Sequence, residues 1–295
     1  MRRMPRSRLI RRLAVIAALA IAPVGLAACA GGPTAPSMPD GLAVSVQQGR
    51  LDVVDHRLVV RFENTGNTPV TIEEFAVEVP TFEPGLEYSK PFELAGDDAL
   101  AIRLDLPSSI CDAEAGPTVI DMTFRTADGT GEGRLTADDP FDTVTRVNTA
   151  DCLAASVAEV AEIVMPDHLR STGAGTERRA FIDVELVPAA EGDASMQIER
   201  VYGTTLLNAE DGIDWTLGID VAAGDAPFTI NLPVRPARCD AHGIADDKRG
   251  TILPFEIVTN DGRAGRLDVP AADGLKAELY AYYGERCGLA APPTG

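Results

Sequence analysis

The chain is short of lysine, histidine and aromatic side chains. Its 295 residues hold three lysines and three histidines, and only 5% are Phe, Trp or Tyr, with Trp215 the single indole. So few aromatics argue against a platform for stacking sugars. Basic groups are also scarce: 26 Lys and Arg face 45 Asp and Glu, a formal net charge of −19. Six of those arginines (Arg2, Arg3, Arg6, Arg8, Arg11, Arg12) crowd into residues 1–28, which contain no acid. The other 267 residues therefore carry 20 basic against 45 acidic groups, a net −25. That sign excludes nucleic acid as a partner, because a basic face is needed to displace its counterions. It also keeps the folded part off an anionic bilayer. No GxSxG, HExxH, SxxK or phosphate-loop pattern occurs, and no CxxC, so motif-borne hydrolase, nucleotide and zinc chemistry lack their residues.

What is present is a globular composition, 45% hydrophobic and 24% charged, long enough for two domains. The start is different. A basic stretch leads into an apolar run from Leu13 to Ala22, too short to span a bilayer, and then into Leu26-Ala27-Ala28-Cys29. This resembles the signal of bacterial lipoproteins. The resemblance covers residues 1–29 and implies cleavage before Cys29, which would receive diacylglycerol and anchor the protein at the outer face of the cytoplasmic membrane. Arg11-Arg12 leaves a twin-arginine export route open beside the general one. Three lysines beside 23 arginines, with abundant alanine, are similar to the composition of actinobacterial lipoproteins. Residues 29–40, rich in Gly, Pro and Ser, have nothing with which to build a core and read as a flexible tether. At ~3.3–3.6 Å per residue it spans at most roughly 40 Å.

The rest of the chain reads as one unit written twice. Leu106-Pro107 and Cys111-Asp112 recur as Leu232-Pro233 and Cys239-Asp240. Thr126-Ala127-Asp128-Gly129 recurs as Thr259-Asn260-Asp261-Gly262, and Arg134-Leu135 as Arg266-Leu267. Upstream, Thr71-Ile72-Glu73-Glu74-Phe75 answers to Gln197-Ile198-Glu199-Arg200-Val201. Each copy closes on a second cysteine, Cys152 or Cys287. The expected domains are 41–152 and 153–287, with 288–295 a flexible tail. A period above 100 residues means tandem domains and not a solenoid.

Within each copy the pattern is that of strands. Ala101 to Leu106, Val119 to Phe124 and Phe181 to Leu186 alternate apolar and polar, and turn clusters such as Asn64-Thr65-Gly66-Asn67 divide them. The segment from Phe141 to Val147, rich in Thr and Val, reads as a strand, while Leu275 to Tyr283 reads as a short helix in the same place of the second copy. About seven short strands per copy predict an all-β fold of two tandem β-sandwiches. The phrase Phe62-Glu63-Asn64-Thr65-Gly66-Asn67-Thr68-Pro69-Val70-Thr71-Ile72 is similar to openings of bacterial immunoglobulin-like modules, although no Trp lies between the paired cysteines. A fold-level likeness implies no activity.

With Cys29 assigned to lipid, four cysteines remain, and they allow three pairings in an oxidising compartment. The repeat selects Cys111–Cys152 and Cys239–Cys287, leaving no free thiol for catalysis. The histidines His56 and His168 read as surface residues near turns.

The one basic interruption of the acidic surface runs from Arg235 to Gly250 and contains the insertion that sets the second copy apart. Its Arg235, Arg238, His242, Lys248 and Arg249 are the candidate contacts for an anionic group or an envelope protein; the bland alternative is a salt-bridged loop pinned by its disulfide. Asp240, His242, Asp246 and Asp247 leave a metal reading open as a minor alternative, and the turns at Asp128-Gly129 and Asp261-Gly262 lack the alternating ligands of a calcium loop. No catalytic residue, metal or cofactor is assigned. The expected function is non-enzymatic binding or scaffolding in the cell envelope. Its rivals are a solute-binding lipoprotein of a transporter, an envelope enzyme using carboxylates, and a purely structural spacer.

Overall fold

A computed structural model describes residues 36–240, 243–244 and 249–289. Cys29, residues 1–28, most of the tether, His242, Asp246, Asp247, Lys248 and residues 290–295 lie outside them. The described chain is all-β with a few helices, built as two sandwiches in tandem.

The first sandwich takes β1 (Leu42–Gln47), β2 (Arg57–Asn64), β3 (Val70–Glu78), β4 (Glu87–Tyr88), β5 (Phe92–Leu94), β6 (Asp98–Asp105), β7 (Val119–Thr126) and β8 (Gly129–Thr136), with the five-residue helix α1 (Arg50–Val54) between β1 and β2. One sheet has the order β1-β2-β6, and the facing sheet runs β4-β3-β7-β8 with β5 also on β3. Alternation places Leu58, Val60 and Phe62 of β2 against Ile72 of β3 and Ile120, Met122 and Phe124 of β7, all buried in one core. The aromatic rings of Phe62, Phe75, Phe92 and Tyr88 meet edge-on or stacked beneath the β4–β5 flank. Asn64 is buried at the sheet end, where its amide donates to the carbonyls of Thr68 and Ala95. It satisfies backbone acceptors of two loops that water no longer reaches.

The second sandwich repeats the plan with β9 (Ala161–Val164), β10 (Arg170–Thr172), β11 (Arg179–Pro188), β12 (Ser195–Val201), β13 (Leu207–Ala209), β14 (Trp215–Ala222), β15 (Phe228–Pro236), β16 (Ile252–Thr259) and β17 (Ala264–Pro270). Its sheets are β10-β11-β15-β13, with β9 also on β11, and β14-β12-β16-β17. Two features establish the repeat physically. Both β3 and β12 carry a bulge at the same place, after Ile72 and after Ile198, so each reverses which side chains face out. Both copies also end in a helix, α2 (Thr143–Val160) and α3 (Asp273–Arg286). One sequence match is displaced: Arg134 lies opposite Asp121, whereas Arg266 lies opposite Glu256, whose equivalent in the first copy is Thr123. The β16–β17 turn is one residue longer than the β7–β8 turn, so the Arg-Leu pairs share a face but not a position.

Four sequence expectations need correction. Phe141 to Val147 is not a strand. Asp139 accepts the N–H groups of Thr143 and Val144 with its two carboxylate oxygens, at 2.7 and 2.9 Å, and α2 starts there. That cap and the apolar spacing further along outweigh the strand preference of Thr and Val. The boundary between 152 and 153 falls inside α2, because Val147 packs in the first core while Leu153, Val157 and Val160 pack in the second. The tether does not run free to residue 40, since Met38 packs on the first core over Gly133. Nor does the tail begin as loose chain at 288. Gly288, at φ +63°, and Leu289 donate to the carbonyls of Glu285 and Gly284, closing α3 in a Schellman cap, and Leu289 touches the second core.

The disulfides join Cys111 to Cys152 and Cys239 to Cys287, with Cα atoms 5.4 and 5.2 Å apart. Each fixes the loop after one strand, β6 or β15, to the closing helix of its own copy.

Leu153 is 2% exposed and lies at the foot of the first copy but in the core of the second. Leu153→Ala should destabilise the second sandwich by about 3 kcal/mol and leave the first nearly unchanged. Calorimetry of the variant would show a single lowered transition; equal lowering of both would contradict the division of α2 between the cores.

Candidate functional site

Strand register orients the molecule. In the first sandwich Leu42, Asn64 and Asp98 lie side by side at one end, while Arg57 and Asp105 lie at the other. The entering chain passes Gly131, Gly133 and Gly66 towards the first of these ends. The opposite end carries Cys111, α2 and the second sandwich. There, Arg263 of the β16–β17 turn reaches Asp112 at 3.4 Å, and Leu153 lies against Gly265. In the second sandwich the turn at 259–263 thus faces the first sandwich. Ala237 to Asp240, which follow β15, and Arg249 to Thr251, which precede β16, lie at the far end.

The basic segment therefore sits at the end remote from chain entry. Within the described residues its arginines are each engaged by the protein. Arg235 is half-buried and donates to the carbonyl of Gly212 at 2.8 Å. Arg238 pairs with Asp240 at 3.1 Å, and Arg249 pairs with Asp268. His242 and Lys248 lie outside the described residues. The structure adds three arginines beside this segment. Arg178 pairs with Glu285 at 2.7 Å, and both Arg179 and Arg286 close on Glu210. The Gly175 N–H and Arg178 together hold the Glu285 carboxyl below its ordinary range. The doublet Arg178-Arg179 and the Arg286-Cys287 pair were visible in the sequence, but nothing there showed that one end of the sandwich gathers them.

The aromatic residues of α3 serve packing. Tyr282 and Tyr283 are fully buried, and the Tyr282 hydroxyl donates to the carbonyl of Val234 at 2.7 Å. Trp215 is likewise core and donates its indole N–H to the carbonyl of Pro233. His56, in a left-handed conformation, lies 3.5 Å from Asp151 at the junction. His168 is exposed and paired with Glu278, which raises its pKa.

At the junction, Asp261 is the most perturbed carboxyl. Hydrogen bonds from Thr259, Ser156 of α2 and Arg263 pull its pKa from 3.8 to about 2. Its partners come from both sides of the turn that receives α2, so the charge links the first copy's helix to the second copy's sheet. A third surface feature is a trough of ≈ 820 Å³ on the outer face of the β4-β3-β7-β8 sheet, lined by residues including Glu74, Ala76, Thr123 and Glu132.

No protein-family model matches the chain, and no curated protein matches it. Among solved structures, red sea bream transglutaminase overlaps 80% of this chain at 8% identity and a TM-score of 0.25. The BSP domain of a biofilm associated protein overlaps 78% at 7% identity and 0.20, and the YadV chaperone 74% at 10% and 0.18. The chain spans 32% of the transglutaminase and 58% of the BSP domain. Overlaps this slight leave function to be argued from the chain itself. Among the described residues no helix is long and apolar enough to cross a membrane.

A carboxyl whose folded pKa is depressed contributes stability above its unfolded pKa and loses it as pH falls through the folded one. Asp261 should thus hold the junction fully above pH 3.8 and release it as the pH approaches about 2. Carboxyl NMR should place its midpoint near the lower figure, and Asp261→Asn should speed amide exchange around Ser156. A midpoint at 3.8 in the folded protein would refute the linkage.

Proposed function

We propose that this protein is an exported lipoprotein, anchored through diacylglycerol on Cys29 at the outer face of the cytoplasmic membrane, and that it acts there as a non-enzymatic binding or scaffolding module for another envelope protein. The observation that carries the reading is the polarity of the fold. The chain enters at one end of the first sandwich, and Arg235, Arg238 and Arg249 of the basic segment lie at the opposite end of the second. A tethered tandem of this kind presents its distal end to the envelope, and its acidic surface stands off anionic lipid. The α2 junction supports the same reading, since a core-sharing helix passes position from one sandwich to the next. In this view each sandwich is an immunoglobulin-like module of two facing antiparallel sheets, of three and five strands in the first copy and of five and four in the second.

The anchor is tested by Cys29→Ser, which should move the protein from the membrane to the soluble fraction of fractionated cells. Undiminished membrane retention would refute it. The distal loop is tested by reversing charge at Lys248 and Arg249 in cells treated with a crosslinker. Loss of the captured envelope protein is expected, and unchanged capture would return the loop to a purely structural role.

A further inference from the structure

The two copies carry opposite chemistry at one place. On the outer face of the second sandwich, Arg200, Glu256 and Arg266 stand in a row across β12, β16 and β17. Glu256 stands between the two arginines in the row, and its carboxylate is 2.6 Å from Arg200. Tyr202 sits beside this row, with Arg200 5.6 Å and Arg266 4.5 Å from its ring centroid. Glu256 also accepts a hydrogen bond from the Tyr202 hydroxyl, which raises that group's pKa. The row is closed: Glu256 offsets one of the two guanidinium charges, and a ring lies over the arginines.

The same row in the first sandwich is Glu74, Thr123 and Glu132 across β3, β7 and β8. The bulges place Ala76 where the second copy has Tyr202. Both flanking arginines have become carboxylates, the central carboxylate has become a neutral hydroxyl, and the covering ring has become a methyl group. What remains is the trough described above. Glu74 has only a 3.5 Å contact from the Thr123 hydroxyl, and among the described residues no ion pair is made by Glu74, Glu87 or Glu132. Arg134, the one cation lining the trough, is committed to Glu78 and to Asp121 at 2.9 Å.

We propose that this face is a docking site for a basic protein segment, with one arginine or lysine side chain lying over Ala76 and Thr123 between the carboxylates of Glu74 and Glu132. The charge pattern is the inverse of the closed row: two anions with a gap between them accept a cation, where the second copy sets Glu256 between two arginines. The absent ring leaves room for the aliphatic stem or planar head of the incoming side chain. Carboxylate–guanidinium contacts are charge-assisted and strong where the geometry is bidentate. The site rests on reading the protein as a binding module, but it depends neither on the lipid anchor nor on the distal basic loop.

The test uses the folded protein and a synthetic seven-residue peptide of alternating glycine and arginine, with a citrulline peptide as its uncharged isostere. Calorimetry and amide NMR should show that the arginine peptide binds, with shifts centred on Ala76 and Thr123, and that the citrulline peptide does not. Ala76→Tyr fills the trough without changing charge and should weaken binding about tenfold, as should Glu74→Gln combined with Glu132→Gln. Glu191→Gln with Asp193→Asn removes the same charge from a loop of the second sandwich and should have no such effect. The proposal is overturned if the wild type fails to bind, if Ala76→Tyr binds undiminished, or if the remote pair weakens binding equally, which would mean diffuse attraction to an acidic protein. Should Ala76→Tyr misfold, the isosteric glutamine pair decides alone. None of these outcomes bears on the fractionation of Cys29→Ser, so the two readings fail separately.

Discussion

A single helix makes one object of two sandwiches. Residues in the first turns of α2 cap and close the first core, Cys152 in its middle is crosslinked to Cys111, and Leu153, Val157 and Val160 are core residues of the next copy. No loop intervenes, for β9 begins at Ala161 where the helix ends. A rotation of one sandwich against the other would have to break the helix or withdraw buried leucine and valine from a packed core. Either costs several kcal/mol. The polar contacts around Asp261 and Arg263 then add direction to a joint that burial already holds. The second copy uses the same closing helix differently. Gly288 ends α3 one residue after its cysteine, where α2 continues for two further turns. The helix is a connector in one copy and a plug in the other.

Much of this was legible in the chain. The cysteine pairing followed from the repeat because a disulfide needs its two positions in the same order in each copy, and order survives when sequence similarity is almost gone. The alternating strands were legible because one face of each is buried and the other wet, a period that composition cannot hide. The bulges after Ile72 and Ile198 lay inside the matched phrase, but a bulge is a property of pairing and leaves no mark on one strand alone.

The misreadings have physical causes. Thr143 to Val147 carries strand-forming residues, and what makes it helical, the Asp139 cap and the apolar spacing beyond Val147, lies outside the segment. The repeat ends at Cys152, yet the first core gives way to the second within α2: burial, not similarity, sets the limit of a domain. Met38 stands among Pro36, Ser37 and Pro39, neighbours with the composition of a tether. Its own side chain fills the space left by Gly133 above Phe124. The displaced Arg134 and Arg266 match shows a related limit. A one-residue change in a turn moves a strand along its partner, and the shift is invisible where residues of the same kind recur two apart.

That displacement also governs what the surface can do. Had Arg134 been the true counterpart of Arg266, the first copy would have possessed a cation beside Thr123, and its outer face would read as a faded version of the second. The register places Glu132 there instead, and Arg134 falls opposite Asp121. Charge on this face has therefore been inverted and not merely lost, while the buried face of the same strands keeps its apolar alternation. Inversion on one side of a strand with constancy on the other separates the two demands on a sandwich: the inner residues must fit one another, and the outer ones must fit whatever meets the protein. The second copy meets itself through Tyr202 and its two arginines. The first copy has the complementary vacancy in charge and in volume, and both point to a cationic partner brought from outside the chain.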